Sequence, residues 1–207
     1  SILSGCDNEF IRRHPNTVRQ RRPDPFENYF ALSGSLFYTN MNRMSLFDLK
    51  GDVAVVIGAT GVLGGAIADG LAGAGAKVAV LGRNAERGAA RVDAIKAAGG
   101  EAIFVAADAS DRSSLETARD EVESKLGGIS VLVNAAGGND PKVTVTPENK
   151  FEDIPLEAWN GNYDLNLVGG AMLPCQVFGP GMVARKKGSI INIASVSAHL
   201  PLSRVVA

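Results

Sequence analysis

Cysteine, net charge and long apolar runs are all scarce in this 207-residue chain, and each shortage excludes a class of protein. The two cysteines, Cys6 and Cys175, are too few and too far apart for a disulfide framework or a zinc site, and no metal site is expected. The formal net charge is −1 and there is no long basic cluster, so the sequence predicts no basic surface for nucleic acid. No uninterrupted run of about 18 apolar residues is present, so a membrane span is not expected. We therefore expect a cytoplasmic protein whose partners include neither nucleic acid nor a membrane.

Residues 1–45 differ in composition from the rest of the chain. They contain several prolines, scattered arginines and no sustained helix or strand periodicity. Such a composition predicts a disordered segment, or one that is not native coding sequence. Met41 and Met44 stand shortly before the first predicted strand, and we expect translation to start naturally at one of them. The alternative is a genuine but flexible N-terminal arm, and in either case residues 46–207 form the folded domain.

From residue 52 onward, apolar strands alternate with helical segments. Helices are predicted at Val62–Gly75, Ala85–Ala98 and Arg112–Leu126, and further helical segments across residues 156–184. This alternation predicts an α/β fold with a doubly wound parallel sheet and right-handed crossovers. The predicted strands are Val53–Ile57, Lys77–Leu81, Glu101–Ala106, Ile129–Val133 and Ser189–Ile193.

A glycine-rich segment directly follows the first strand and opens an apolar helix, which is the context that a dinucleotide-binding loop requires. We expect Gly58 to permit the turn, Gly61 to let the backbone approach a pyrophosphate, and Gly64 to bring helix against strand. The helix N-terminus offers N–H groups and a positive dipole end to phosphate. The alternative is a glycine-rich turn of some other α/β protein. The binding candidates of this loop are Gly58, Thr60, Gly61, Val62, Leu63 and Gly64.

The ends of the next three strands carry further candidates. Arg83 follows the second strand, where the adenosine ribose is expected, and its guanidinium favours the 2′-phosphate of NADP over NAD unless it is only a solvated surface residue. Asp108 follows the third strand and either accepts from the adenine amino group or caps the next helix. Small residues after the fourth strand would let the nicotinamide half lie against backbone. The other candidates at these ends are Asn84, Ala109, Asn134, Ala136 and Gly137.

Five motifs in order show that residues 46–207 resemble the short-chain dehydrogenase/reductase superfamily. They are the glycine loop, Asp108, Asn134-Ala-Ala-Gly137, Leu165-Asn-Leu167 and Gly188-Ser-Ile-Ile-Asn-Ile-Ala-Ser195. The resemblance implies a Rossmann fold, NADP or NAD as cofactor, a small carbonyl or alcohol substrate, hydride transfer, and a homo-oligomer. Within the family, the segment Gly-Gly-Asn-Asp-Pro at residues 137–141 and the long loop after it are similar to the D-mannonate oxidoreductase (fructuronate reductase) branch. That similarity implies a sugar acid as substrate.

The resemblance also assigns catalytic roles. Ser195 would be the catalytic serine that hydrogen-bonds the substrate oxygen, with Ser197 as a neighbouring turn hydroxyl. Asn166 would hold a water of the proton relay, or would instead bond to helix backbone. The glycine loop departs from the usual family pattern, because Val62 occupies the position of its middle glycine. We expect phosphate binding to survive this change with a slightly altered loop geometry.

The acid/base of the family, a Tyr followed four residues later by a Lys, does not occur in this sequence. A phenol has a pKa near 10 and needs a nearby cation to act as a base at neutral pH. In relatives this Tyr follows the serine, at a position just beyond Ala207. We therefore expect a chain truncated at its C-terminus, inactive by itself and poorly soluble because its last strand is an apolar edge. The alternative is a dinucleotide-binding module without chemistry.

Overall fold

A five-stranded parallel sheet forms the centre of the protein, for which a computed structural model describes residues 47–198. The spatial order of the strands is β3–β2–β1–β4–β5, so the chain winds outward from β1 in both directions. The doubly wound α/β fold is thus confirmed. The expectations for residues 1–45 and for the end of the chain lie outside the described range. The strands are β1 (Val53–Ile57), β2 (Lys77–Gly82), β3 (Glu101–Ala106), β4 (Val131–Asn134) and β5 (Ser189–Asn192).

Helices connect the strands and cover both faces of the sheet. A π-helical segment, Asp164–Met172, joins the last two helices into one continuous rod. Short 3₁₀ turns lie at Pro141–Val143, Phe151–Asp153 and Val196–Ala198. β1, β3 and α3 have the predicted bounds, and the other predicted strands and the first two helices differ from the observed ones by at most two residues at an end. The helices are α1 (Val62–Gly73), α2 (Ala85–Ala97), α3 (Arg112–Leu126), α4 (Leu156–Tyr163) and α5 (Leu173–Arg185).

The core consists of two apolar layers, one on each side of β1 and its neighbours. Alternate residues of β1 contribute to opposite layers: Val55 packs in the layer with α3 and α5, and Val56 packs in the layer with α1 and α2. All five residues of β1 are buried. A strand buried on both faces must be apolar at every position, which explains the continuous run Val-Ala-Val-Val-Ile in the sequence.

The rod Leu156–Arg185 is long and apolar enough to cross a membrane by length and composition alone. In the described structure its second half belongs to the core, since Val177, Phe178 and Met182 pack against the sheet. The apolar side chains of α5 therefore pack against the sheet.

An ion pair joins the sheet at the amino ends of its strands, opposite the glycine loop. Ser130 donates its hydroxyl to Asp52 at 2.7 Å, and the Lys187 ammonium lies 2.6 Å from the same carboxylate oxygen. Lys187 and then Ser130 hold the pKa of Asp52 below its ordinary value of 3.8. Since Lys187 just precedes β5, this cluster holds the start of the last described strand to Asp52, which just precedes β1.

The strand β5 is the edge of the described sheet and is exposed along its whole length. Ile190 and Ile191 keep 40% and 45% of their surface accessible among the described residues. An apolar edge of this kind favours association with another strand. Poor solubility of the isolated chain therefore stays a prediction with a physical cause.

Candidate functional site

A cavity of about 880 Å³ lies at the carboxyl end of the sheet. Open α/β sheets place their ligands at this end, where the strand order reverses around β1 and β4. No charged side chain lines the cavity within residues 47–198. The lining comes from the loop after β1 (58 and 61–64), the loop after β4 (135–139), the rod (159, 162, 163, 166 and 167) and the segment after β5 (193–195 and 197).

The glycine loop after β1 allows three backbone segments to approach closely. Gly58 has a φ of +84°, and a Cβ atom there would lie 2.6 Å from the carbonyl oxygen of Ala135. A Cβ atom at Gly64 would overlap the carbonyl of Gly58, so α1 packs directly against the turn. A larger residue at Gly58 would force the loops after β1 and β4 apart, and one at Gly64 would push α1 away from the loop after β1. The structure thus agrees with the predicted structural roles, in which Gly58 permits the turn and Gly64 lets the helix pack closely.

The first turn of α1 is open towards the cavity. Gly61 is its N-cap and provides no side-chain hydrogen bond, so no side chain caps the first N–H groups of the helix. Val62 and Leu63 line the cavity, and Val62 keeps 91% of its surface exposed. Uncapped N–H groups at the positive end of a 12-residue helix suit a phosphate. The residues present thus fit the pyrophosphate of a dinucleotide.

The residues predicted for the adenosine end lie beside β2 and outside the described cavity. The Thr60 side chain covers Gly82, because a Cβ atom at Gly82 would lie 2.8 Å from the Thr60 hydroxyl oxygen. Arg83 is exposed and has no carboxylate partner at ion-pair distance among residues 47–198. Asn84 is occupied as the N-cap of α2 and accepts a bond of 2.8 Å from the Arg87 N–H. Arg83 therefore has its charge available at this end.

At the end of β3, the alternative that Asp108 caps the next helix is wrong. The N-cap of α3 is Asp111, whose carboxylate accepts from the Ser113 N–H at 2.8 Å. The hydrogen bond from the Ser113 side chain, followed by backbone bonds, lowers the pKa of Asp111. Asp108 instead accepts from the Ser110 N–H at 3.0 Å, and Ala109 between them is buried. An adenine contact by Asp108 stays a prediction.

Asn134 was predicted as a cofactor contact, but its side chain does not line the cavity. It is 1% exposed and donates a hydrogen bond of 2.7 Å to the side-chain oxygen of Asn192, across the ends of β4 and β5. Its nitrogen also lies 3.6 Å from the sulfur of Cys175. Its own side-chain oxygen is buried and has no partner among the described residues. Asn134 thus holds two strand ends together behind Ala136 and Gly137, which do line the cavity.

Asn166 fastens the loop after β4 to the rod. Its oxygen accepts from the Gly138 N–H at 2.9 Å, and its nitrogen donates to the Gly138 carbonyl at 2.8 Å and the Asn162 carbonyl at 2.9 Å. Three of the four hydrogen-bonding positions of an amide are therefore occupied by backbone. This agrees with the alternative of backbone bonding and leaves one lone pair for any water relay. The helix is π-helical here, as is frequent near functional sites.

Sequence reasoning missed Asn162, one turn before Asn166. This residue is 4% exposed, lines the cavity, and accepts a bond of 3.2 Å from the Asp140 N–H. A signal was present, because two asparagines four residues apart share one helix face. The two amides together hold the loop at Gly138 and again at Asp140.

Ser195 lies at the cavity wall after β5, as predicted. The Ser197 hydroxyl donates to the Ser195 hydroxyl oxygen at 2.8 Å, and the Ser197 N–H donates to the same atom at 3.2 Å. Both lone pairs of Ser195 are then engaged, so its own O–H is left to act as a donor. Ser195 can therefore donate to a carbonyl or alcohol oxygen in the cavity.

Comparison with known proteins decides the family. The model of the family described as short chain dehydrogenase matches residues 52–207. The chain belongs to the short-chain dehydrogenase family. The matched range includes the glycine loop, the Asn134–Gly137 segment and Ser195, whose binding and catalytic roles stay predictions.

Individual known proteins match most of this chain. The uncharacterized oxidoreductase UxuB of Bacillus subtilis (strain 168) is 40% identical over 168 residues, covering 77% of this chain and 60% of UxuB. A structure from Haemophilus influenzae, assigned as a D-mannonate oxidoreductase and solved with NAD, has a TM-score of 0.74 and 29% identity over 79% of this chain and 62% of that one.

A second solved structure holds the other dinucleotide. A gluconate 5-dehydrogenase from Burkholderia cenocepacia J2315, in complex with NADP and tartrate, has a TM-score of 0.69 and 29% identity, covering 78% of this chain and 60% of that one. The chain thus spans about three fifths of the length of the relatives it matches. A nicotinamide dinucleotide is common to both structures, and the choice between NAD and NADP differs between them.

Proposed function

We propose that this chain supplies the dinucleotide-binding site and the substrate-orienting serine of an NAD(P)-dependent oxidoreductase acting on a small alcohol or carbonyl compound. The observation that carries the proposal is that the uncapped start of α1 and the hydroxyl of Ser195 line one cavity. A bound nicotinamide dinucleotide supplies hydride-transfer chemistry, and the protein supplies binding and orientation.

The residues of this chain divide the work by position. The N–H groups after Gly61 bind the pyrophosphate, and Gly58 keeps the loop after β4 close enough to share the same ligand. Ala136 and Gly137 give the nicotinamide half a wall of backbone, and Gly137 cannot be larger because a Cβ atom there would lie 2.8 Å from the Asn166 oxygen. Ser195 donates to the substrate oxygen. Each group acts from the end of a different strand, so the sheet sets their spacing.

A preference for NADP over NAD is part of the proposal. Arg83 stands exposed at the end of β2, where the adenosine ribose of a dinucleotide lies in this fold, and a guanidinium pairs well with phosphate. Asn84 follows it, Thr60 covers the preceding Gly82, and Asp108 would meet the adenine ring. Support comes from the absence of a competing carboxylate at Arg83 among residues 47–198.

We assign no proton transfer to the residues that line the cavity. Tyr163 lines it, but the fourth residue after it is Leu167, and no Tyr in the 207 residues has a Lys at that spacing. We therefore propose that the chain by itself binds dinucleotide without reductase activity. The same observation favours the second candidate, a binding module without chemistry, and NADPH oxidation by the isolated chain would contradict this part of the proposal.

Substrate, assembly and location complete the proposal. A sugar acid is supported by the similarity to structures assigned as D-mannonate oxidoreductase and gluconate 5-dehydrogenase. Homo-oligomers are proposed through the rod Leu156–Arg185, which exposes Leu156, Tyr163 and Val183. We place the protein in the cytoplasm.

Dinucleotide binding is tested by NADPH fluorescence on the wild-type chain and two glycine variants. Gly61→Ala places a methyl group at the pyrophosphate position, 3.3 Å from the Gly58 carbonyl, at a backbone φ of −91° that alanine tolerates. We expect the Kd for NADPH to rise at least about tenfold. Gly70→Ala, on the exposed side of the same helix with nothing within 4 Å, is the matched control and should leave the Kd unchanged. Wild-type protein that binds neither NADPH nor NADH would overturn the proposed function.

A further inference from the structure

Asn139 presents the free amide of the cavity. Among residues 47–198, its side chain and that of Asn160 are the asparagine amides without a hydrogen bond inside the protein, and Asn139 lines the cavity whereas Asn160 does not. An amide carries two N–H donors and two acceptor lone pairs, all of which are then available to a ligand. The asparagines with side-chain partners are Asn84, Asn134, Asn149, Asn162, Asn166 and Asn192.

The backbone on both sides of Asn139 is fixed. Before it, Gly138 is bound at its N–H and its carbonyl by Asn166, at 2.9 and 2.8 Å. After it, the Asp140 N–H is bound by the buried Asn162, and the Asp140 carboxylate accepts from the Lys142 N–H at 2.9 Å. A loop fastened one residue before and one residue after a free side chain fixes the backbone from which that side chain extends. Such preorganisation reduces the entropy that ligand binding costs.

The polarity of the cavity indicates what this amide contacts. No charged side chain lines the cavity within the described residues, the Asn162 amide oxygen accepts from the Asp140 N–H, and backbone occupies three of the four hydrogen-bonding positions of the Asn166 amide. Among residues 47–198, a carboxylate ligand therefore meets no cationic side chain in the cavity wall. A hydroxyl both donates and accepts, which matches a free amide, while the Ser195 O–H can bind another oxygen of the same molecule.

We propose that Asn139 is a specificity-determining residue that hydrogen-bonds a hydroxyl group of a polyhydroxylated substrate, and that Asn162 is the positioning residue that holds it in the cavity. This inference rests on the proposed function. The recognised feature is a hydroxyl group of the substrate other than the one that reacts. Sugar acids and neutral alditols share that feature, and cyclic alcohols with a single hydroxyl lack it.

The test measures ligand binding by calorimetry on the full chain saturated with NADP⁺. The probes are D-mannonate, its neutral counterpart D-mannitol, and cyclohexanol. We expect Asn139→Leu to weaken both hydroxylated probes about tenfold, as for the loss of one good hydrogen bond, and to leave cyclohexanol and NADPH unchanged. Asn160→Leu, the matched change of the other free amide, should alter none of the four affinities.

Asn139→Asp separates the two kinds of ligand. If the amide contacts a hydroxyl, the aspartate still accepts from it, and D-mannitol is weakened less than by leucine. If it contacts the carboxylate, D-mannonate binding is lost while D-mannitol is unaffected by either variant, and this result overturns the inference. The inference would also be overturned if Asn160→Leu lost as much affinity for the hydroxylated probes as Asn139→Leu does. It would be overturned as well if a wild-type chain that binds NADPH bound neither hydroxylated probe. Absence of NADPH binding would instead count against the proposed function.

Amide hydrogen exchange tests the positioning role independently of any ligand. Asn162→Ala removes the acceptor of the Asp140 N–H, and we expect that amide to exchange at least about tenfold faster. Asn162→Asp keeps an acceptor oxygen at the same place and should restore protection, whereas Asn160→Ala should not change it. An unchanged Asp140 amide in Asn162→Ala would show that Asn162 does not hold the loop.

Discussion

Replacing Asn134 and Asn192 in turn should change stability in opposite directions, although the two residues share one hydrogen bond. Asn134 is buried, its nitrogen donates to Asn192, and its oxygen has no partner among residues 47–198. Asn134→Leu keeps the number and branching of the side-chain heavy atoms, gives up one hydrogen bond worth about 1 kcal/mol, and removes a buried unpaired carbonyl that costs about 1–3 kcal/mol. We expect the free energy of unfolding to stay the same or to rise by up to about 2 kcal/mol.

Asn192→Leu has the reverse expectation. It removes the acceptor and leaves the buried Asn134 nitrogen with only the sulfur of Cys175 nearby, at 3.6 Å. An unpaired buried donor costs about 1–3 kcal/mol, so the free energy of unfolding should fall by that amount. Urea unfolding monitored by circular dichroism measures both variants, with equal m-values as the check that the transition is of the same kind. A loss of more than about 1 kcal/mol in Asn134→Leu would refute the reasoning, since it would mean that the Asn134 oxygen is satisfied.

Three further results are expected. Because Lys187 and Ser130 hold the pKa of Asp52 below 3.8, its contribution to stability is complete above that pH and is lost as the pH falls through the folded-state pKa. In Asp52→Asn the midpoint of urea unfolding should therefore fall less between neutral and acid pH than it does in the wild type. An equally large fall in the variant would contradict this. Arg83→Ala should raise the Kd for NADPH about tenfold and leave that for NADH unchanged, and a parallel loss of both would exclude a 2′-phosphate contact. Asp111→Ala should lower the midpoint of urea unfolding, because it removes the cap of α3, whereas a similar drop in Asp108→Ala would contradict the cap assignment.

The order and bounds of the strands and helices were predictable because local signals agree with the tertiary structure. Strand β3 and helix α3 have the predicted bounds, and Gly127, with a φ of +102°, follows α3 directly. The mistaken cap at Asp108 was avoidable. A helix predicted to start at Arg112 is expected to have its cap at the residue just before it, which is Asp111.

The contacts across the sheet were not predictable in the same way. Asn134 ends an apolar strand, and no neighbouring residue in the sequence indicates that its amide meets Asn192, which is 58 positions away. The bond from Asn162 to Asp140 also depends on how the rod lies against the loop. Sequence motifs therefore located the glycine loop and Ser195, while the residues that hold the loop after β4 emerged only from the packed structure.

The uncharged lining of the cavity has a consequence for ionic strength. In the proposed binding mode, backbone N–H groups at the start of α1 bind phosphate at short range, where mobile ions screen little, whereas the exposed guanidinium of Arg83 acts through a solvent-screened field. Rising salt should therefore weaken NADPH binding more than NADH binding, and the two affinities should converge at high salt. Discrimination between the two dinucleotides thus becomes a property of the medium as well as of the protein.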